Sequence, residues 1–266
     1  MSGNLIEIYK QNIVNAEKQN IASSQFSEKP IMVSGLMAPQ STITIQSLFG
    51  IDFELDEEGM CKALEILGGK LGQRTDAQKK DFMCLLTDIY CTTEEYLGGH
   101  GVSEGRQSAY LSAPDQKLKL SEIQGKRVGL CAERAIMAQQ IMATLEKEGM
   151  LANYTTFLTN SHLTVDGNRE PHSFIVIKHN SDSSKQFLFD VENLLHHKPA
   201  KESQPVPAVA LYPMTEQEFK DFQEGKSLSL KSIYEYFGMT VVDKPRIYGD
   251  EEVKQNQTNL DNGENR

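Results

Sequence analysis

The chain contains no tryptophan and no long apolar run. Its longest apolar stretches, such as Phe174 to Ile177 and Phe187 to Phe189, fall far short of the roughly 20 residues that a helix needs to cross a bilayer. We therefore expect no membrane-spanning helix and no membrane partner. The basic start and apolar centre of a secretory signal are also missing. These absences predict a cytoplasmic protein, and export by a signal-independent route is the open alternative.

Dense basic runs are absent as well, and 37 acidic residues against 27 basic ones give a formal net charge of -10. Binding to a nucleic-acid backbone requires clustered Lys and Arg, so we expect no nucleic-acid partner. Cysteine is scarce, and its four positions (Cys61, Cys84, Cys91 and Cys131) form no CxxC pair. This pattern predicts reduced thiols rather than a structural zinc site or a disulfide framework, and no metal or cofactor is expected.

Apolar periodicity predicts helices before strands along the chain. Helical spacing runs over 4–20, 57–71, 76–96 and from Cys131 to about Gly149, and Thr75 and Asp76 are expected to cap the third of these helices. One early strand is predicted around Thr42 to Phe53, whereas residues 98–125 have no clear period and are predicted to form a loop. Strand patterns then follow at 151–159, 173–179, 186–191 and 206–212. The order predicts an α+β fold in which an antiparallel sheet packs against a central helix.

Three regions follow from this pattern. Residues 1–56 are predicted to be an N-terminal helix and extension, and residues 57–248 the main domain. The domain is expected to end with helices at 215–224 and 228–238 and a strand near 240–248. Residues 249–266 are almost wholly polar and are predicted to be a disordered tail.

Cys131 is a candidate nucleophile because it opens the strongest predicted helix. Unpaired backbone N–H groups and the positive end of the helix dipole stabilise a thiolate at that position. Gly129, two residues earlier, would let a substrate backbone approach closely. A buried, inert thiol at a helix end is the competing interpretation.

His172 and Asp190 are candidate partners of this thiol. His172 precedes the apolar strand that starts at Phe174, and Asp190 ends another, where a carboxylate is costly to bury without a partner. Their spacing allows an antiparallel hairpin through the loop 180–185, with the two side chains across from each other on neighbouring strands. Asp190 would then fix the tautomer of the imidazole, and the other ring nitrogen would serve Cys131.

These three motifs resemble, in order, those of the transglutaminase-like superfamily of papain-like cysteine enzymes. Gly129-Leu130-Cys131-Ala132-Glu133 is similar to its helix-opening cysteine motif, His172-Ser173-Phe174 to its histidine strand, and Phe189-Asp190-Val191 to its aspartate strand. The family often has tryptophan after the histidine and proline after the aspartate. Phe174 and Val191-Glu192-Asn193 stand here instead, which indicates a divergent member. The resemblance covers roughly residues 125 to 195, and it implies that residues 57–248 are a catalytic domain whose core motifs span 125–195.

The resemblance implies a papain-like core and a Cys131–His172–Asp190 triad that attacks an amide or acyl carbonyl and forms a thioester. The expected activity is a peptidase or deamidase acting on a protein or peptide amide. Transfer to an amine, as in a transglutaminase or an arylamine N-acetyltransferase, and a non-catalytic protein-binding module are the alternatives. The Cys131 backbone N–H is the expected oxyanion donor, with Gln107, Tyr110 and Gln124 as weak candidates for a second.

Overall fold

The computed structural model describes residues 2–22, 29–45, 51–99, 103–112, 117–165, 168–197 and 206–226. Within them the chain forms six α-helices and nine strands in two sheets, so the predicted α+β class is confirmed. The helices are α1 (Ser2–Ile13), α2 (Glu57–Gly72), α3 (Phe82–Leu97), α4 (Ser103–Leu111), α5 (Cys131–Glu148) and α6 (Glu216–Gln223). The strands are β1 (Asn20–Ala22), β2 (Ile31–Ser34), β3 (Thr42–Ile45), β4 (Ile51–Glu54), β5 (Lys117–Lys119), β6 (Tyr154–Val165), β7 (Asn168–His179), β8 (Gln186–His197) and β9 (Val206–Met214).

The larger sheet has the order β2-β6-β7-β8-β9, and every neighbouring pair in it is antiparallel. Helix α5 packs against β6, β7 and β8 on one face, and α1, α2 and α3 also contact it. Every residue from Ala132 to Leu145 is buried, as expected of a helix surrounded by other elements. This central helix therefore fixes the position of its first residue, Cys131, relative to the sheet.

Successive side chains of β7 point to opposite faces of the sheet and pack into two different hydrophobic clusters. Ile175 and Ile177 belong to the main hydrophobic cluster, which includes the residues of α5. Phe174 and Val176 belong to a second cluster with Phe219 and Phe222 of α6. The strand is thus buried on both sides, which explains its unbroken apolar sequence.

The described part of residues 1–56 packs into the same core as the rest of the chain. Leu5 and Tyr9 of α1 are almost fully buried in the main cluster, and β2 pairs with β6 at the edge of the larger sheet. Strands β1, β3, β4 and β5 form the smaller, mixed sheet, which joins residues on both sides of α2 and α3. No helix among the described residues is long and apolar enough to cross a membrane.

Several sequence predictions were wrong in detail. The strand expected from Thr42 to Phe53 is two antiparallel strands, β3 and β4. The helix expected from residue 76 begins at Phe82 and is capped by Asp81, whose carboxylate accepts a hydrogen bond from the Cys84 amide at 2.8 Å. Thr75 instead accepts from the Gln78 amide in a short 3-10 turn ahead of that helix.

The segment 98–125, predicted to be a loop, contains α4, β5 and a 3-10 turn at Leu120–Ile123. The strands β6, β7 and β8 also extend beyond their predicted limits, because backbone pairing continues past the apolar stretches into mixed sequence. The expected helix at 228–238, the strand at 240–248 and the polar tail lie outside the described residues.

We expect Gly98→Ala to destabilise the protein more than Gly149→Ala does. Both glycines end a helix in the left-handed conformation, with φ values of 77° and 86°. A Cβ at Gly98 would lie 2.7 Å from the carbonyl oxygen of Gly125, whereas nothing lies within 4 Å of one at Gly149. Each change should cost about 1–2 kcal/mol for the left-handed backbone, and Gly98→Ala should add a clash with Gly125.

Urea unfolding of both variants and the wild type measures the two free-energy losses. The close approach of Gly98 to Gly125 is refuted if the two losses are equal.

Candidate functional site

Cys131 is the first residue of α5 and is half-buried. Four α-helices have described N-caps, and in three of them the side chain of Asp56, Asp81 or Thr215 accepts a hydrogen bond from the first turn. The N-cap of α5 is Leu130, whose side chain has no acceptor atom. The first-turn amides beside Cys131 are therefore left for another negative group, such as a thiolate or an oxyanion.

Glu133 holds the backbone just before the cysteine. Its fully buried carboxylate accepts a hydrogen bond from the Leu130 amide at 3.1 Å. The same carboxylate forms a bidentate ion pair with Arg106 of α4, at 2.8 and 2.9 Å, and accepts from the Tyr110 hydroxyl at 2.6 Å. A buried charge needs such partners, so α4 is tied to the start of α5.

Arg134 also holds the backbone before Cys131. Its side chain is fully buried, and its Nε donates to the Gly129 carbonyl at 3.3 Å. Its other nitrogens donate to the Glu94 carboxylate and the Gly99 carbonyl, each at 2.7 Å. Gly129 also lies against Leu97, since a Cβ there would be 2.6 Å from a methyl group of that residue. The peptide that leads into Cys131 is thus fixed by two buried charges.

His172 and Asp190 meet as the sequence predicts, on neighbouring strands of one hairpin. The His172 Nε2 lies 2.9 Å from an Asp190 carboxylate oxygen. The β7–β8 ladder pairs Ile175 with Phe189, and continuing it by one residue would place Asp190 opposite Phe174. His172 and Asp190 are therefore diagonal neighbours rather than directly opposed residues. The His172 ring also lies against Phe174, with 6.1 Å between the ring centres.

The structure brings Cys131 to this pair. Ligand atoms of Cys131, His172 and Glu192 all lie within 4.8 Å of one another. His172 Nδ1 lies 3.7 Å from a Glu192 carboxylate oxygen. Because Asp190 engages Nε2, Nδ1 is the ring nitrogen that is left for the thiol and for Glu192. The three residues singled out from the sequence are thus assembled, together with a fourth.

Glu192 is the site residue that sequence reasoning missed. In the β8–β9 ladder Asp190 pairs with Ala210, but Leu194 pairs with Val209, so residues 191–193 form a bulge. Bulges of this kind re-aim side chains next to functional sites. Asp190 stabilises the bulge, because its second oxygen accepts a hydrogen bond from the Glu192 amide at 2.9 Å. In the sequence, the only signal of Glu192 was Val191-Glu192-Asn193 standing where the resemblance led us to expect a proline.

Burial and nearby negative charge shift the pKa of His172 in opposite directions. Its burial would lower its pKa, but the Asp190 charge, the hydrogen bond to Asp190 and the neighbouring Cys131 together raise that pKa well above the usual value. Burial raises the pKa of the Glu192 carboxyl, and the nearby His172 opposes that shift. The arrangement therefore favours an imidazolium between acidic groups.

The remaining residues considered from the sequence are the candidates for a second oxyanion donor and the other three cysteines. Tyr110 donates its hydroxyl proton to Glu133 and is buried, so it is occupied in holding α5. Gln107 and Gln124 are exposed, and no second oxyanion donor is assigned. Burial raises the pKa of the thiols of Cys61, Cys84 and Cys91, which disfavours their thiolates.

Comparison with known proteins gives no assignment: no family model, no curated protein and no solved structure matches this chain.

We expect Glu133→Gln to destabilise the protein by about 3–5 kcal/mol, because it removes the bidentate ion pair of the buried Arg106 guanidinium. Glu58→Gln is the matched control, since it removes an exposed carboxylate that forms an i,i+4 ion pair with Lys62. Urea unfolding should show a large loss for the first variant and little change for the second. Similar losses for both would contradict the structural role given to Glu133.

We expect Asp190→Asn to lower the pKa of His172, because it removes the largest influence that raises it while burial remains. An amide NH2 facing Nε2 would also favour the Nδ1–H tautomer. A ¹³C–¹H NMR titration of the His172 ring measures the shift directly. His179 serves as an internal reference, and an unchanged His172 pKa would contradict the assigned pair.

The same pair has a consequence for stability. The folded-state pKa of His172 is raised, so its contribution is fully present below the unfolded value of about 6.5 and is lost as pH rises through the folded pKa. Asp190→Asn should therefore weaken the decline of unfolding free energy with rising pH above about 6.5.

Proposed function

We propose that this protein is a cysteine-dependent amide hydrolase, a peptidase or a deamidase, that works through a thioester on Cys131. The observation that carries the proposal is the convergence of two groups: a thiol at a helix start whose N-cap side chain offers no acceptor, and an imidazole whose far nitrogen is hydrogen-bonded to a buried carboxylate. This is the constellation of a nucleophile, a base and an orienting acid. The papain-like core and the place in the transglutaminase-like superfamily belong to the same proposal.

The first half reaction transfers an acyl group to sulfur. His172 holds the proton of the Cys131 thiol as an imidazolium, and the thiolate attacks the carbonyl carbon of the amide. The tetrahedral intermediate collapses as the carbon–nitrogen bond breaks, and His172 gives its proton to the leaving amine. The products of this step are a free amine and a thioester on Cys131.

The second half reaction releases the acyl group. His172 takes a proton from water, and the resulting hydroxide oxygen bonds to the thioester carbon. The carbon–sulfur bond then breaks to give a carboxylic acid and the Cys131 thiolate, which recovers the proton from His172. A primary amine in place of water would give transfer instead of hydrolysis, with the same residues in the same roles.

Charge develops on the carbonyl oxygen in both half reactions. The amide of Cys131 is placed to donate to that oxygen, because Leu130 offers no side-chain acceptor at the start of α5. The Gly129–Leu130 backbone is held by Glu133 and Arg134, so the donor does not have to reorganise during the reaction. Asp190 keeps the imidazole oriented and stabilises its positive charge.

We expect Cys131 to react with iodoacetamide faster than Cys61, Cys84 and Cys91 between pH ~6 and 7, since a thiolate is the reactive form. His172→Ala should slow the labelling of Cys131 and leave the other three unchanged. Peptide mass spectrometry after timed quenching reports all four rates in one sample. Labelling of Cys131 at the rate of the others, unaffected by His172→Ala, would support the non-catalytic binding module instead.

The reaction itself is tested with an unfolded protein substrate and a glutamine-containing peptide. New amino termini identify a peptidase, ammonia release identifies a deamidase, and incorporation of an added primary amine identifies transfer. Cys131→Ala should abolish whichever activity is found, and Cys84→Ser should keep it. If neither substrate gives an acyl-enzyme mass on Cys131 or any product, the proposed activity fails.

A further inference from the structure

Acidic groups lie on both sides of the His172 ring. The Cys131 thiol and the Glu192 carboxyl converge on the side of Nδ1, and Asp190 occupies the side of Nε2. Glu192 takes no part in the proposed hydrolytic steps.

The geometry points to a second use of this cluster: we propose that Cys131, His172 and Glu192 bind a thiophilic divalent cation, Zn²⁺ above all. Thiolate sulfur, imidazole nitrogen and carboxylate oxygen are the three ligand types that Zn²⁺ takes in proteins. Among the described residues this is the only set of three or more such side chains whose ligand atoms lie this close together. Binding of the cation requires only these three side chains and does not depend on the proposed hydrolase activity.

The distances are close to those of a tetrahedral site. Zinc bonds of about 2.0 to 2.3 Å at the tetrahedral angle separate the ligand atoms by about 3.3 to 3.6 Å. The Nδ1–Glu192 oxygen distance is 3.7 Å, and no pair of the three donors exceeds 4.8 Å. Small side-chain rotations therefore suffice to close the site. Three protein ligands leave a fourth position for water, which is the ligand number of open zinc sites.

The hydrogen bond between His172 and Asp190 supports this assignment independently. Histidine ligands of metals commonly donate their other ring N–H to a carboxylate, which fixes the tautomer and the ring orientation. Asp190 accepts from Nε2 at 2.9 Å and so directs the Nδ1 lone pair at the cluster. Its second oxygen holds the Glu192 amide, so one buried carboxylate positions two of the three ligands.

Metal binding and thiol chemistry exclude each other at this site. As the sulfur–zinc bond forms, the Cys131 thiol releases its proton to solvent, and the lone pair needed for attack on a carbonyl becomes the ligand bond. The same ion occupies the Nδ1 lone pair that would accept the thiol proton. Zn²⁺ therefore acts as a reversible block on Cys131.

Titration of the chelator-treated full chain with Co²⁺, a spectroscopic substitute for Zn²⁺, tests the site directly. We expect one equivalent to give thiolate-to-cobalt absorption and the strong visible bands of four-coordinate Co²⁺, and one equivalent of Zn²⁺ to remove them. Cys131→Ser should abolish the thiolate band. Glu192→Gln and Asp190→Asn should each weaken binding by about 10- to 100-fold.

Cys84→Ser is the matched control, because Cys84 lies close to the Asp81 and Asp88 carboxylates and forms part of no three-donor cluster among the described residues. It should leave the cobalt spectrum and the affinity unchanged. A thiolate band that survives Cys131→Ser, full affinity in Glu192→Gln, or no band at all would overturn the proposal. Circular dichroism of each variant shows whether it is folded.

A second readout separates this proposal from the proposed function. Zn²⁺ should slow iodoacetamide labelling of Cys131 in the wild type, excess chelator should restore it, and Glu192→Gln should need about 10-fold more Zn²⁺ for the same protection. Amide hydrolysis is measured separately with chelator present. Cobalt binding without hydrolysis would leave the metal site standing and reject the enzyme, and hydrolysis without cobalt binding would do the reverse.

Discussion

The Glu133 carboxylate, which has no contact with solvent, is the constraint on which the site depends. A charge buried so completely is tolerated only with several donors, and it has four hydrogen bonds, from Arg106, Tyr110 and the Leu130 amide. The two side chains come from α4 and the amide from the peptide before Cys131. One buried charge thus joins a separate helix to the first turn of α5. Because Glu133 engages the Leu130 amide, it does not occupy the amides of that first turn.

The two halves of the site belong to different layers of the fold. Cys131 is carried by the central helix, whereas His172 and Asp190 are carried by the β7–β8 hairpin, and packing of α5 on β6, β7 and β8 brings them together. The burial of Ile175 and Phe189 beneath the helix sets the separation of the layers. The distance between thiol and imidazole is therefore a product of core packing. Changes in that core should alter the chemistry even where they touch no reacting group.

The features that the sequence predicts correctly are those that depend on neighbouring residues. The start of α5 at Cys131, its end at Gly149 and the hairpin that joins His172 to Asp190 follow from periodicity, a glycine cap and apolar strands. The bulge that presents Glu192 and the pairing of β2 with β6 depend on contacts between distant segments, so they leave no local pattern. Glu133 belongs to the cysteine motif and Arg134 follows it, but their roles depend on ion pairs with Arg106 and Glu94, which are distant in the sequence.

Asp190 illustrates how far local reasoning falls short of the site. In the sequence it is only an acid at the end of an apolar strand. In the structure both of its oxygens are used, one by His172 Nε2 and the other by the Glu192 amide. From one buried position it therefore sets the tautomer of the imidazole and the location of the carboxyl group on the far side of the ring. In both proposed uses, with a thiol or with a metal ion, Nδ1 faces the ligand because Asp190 holds Nε2, so Asp190 positions the ring in each of them.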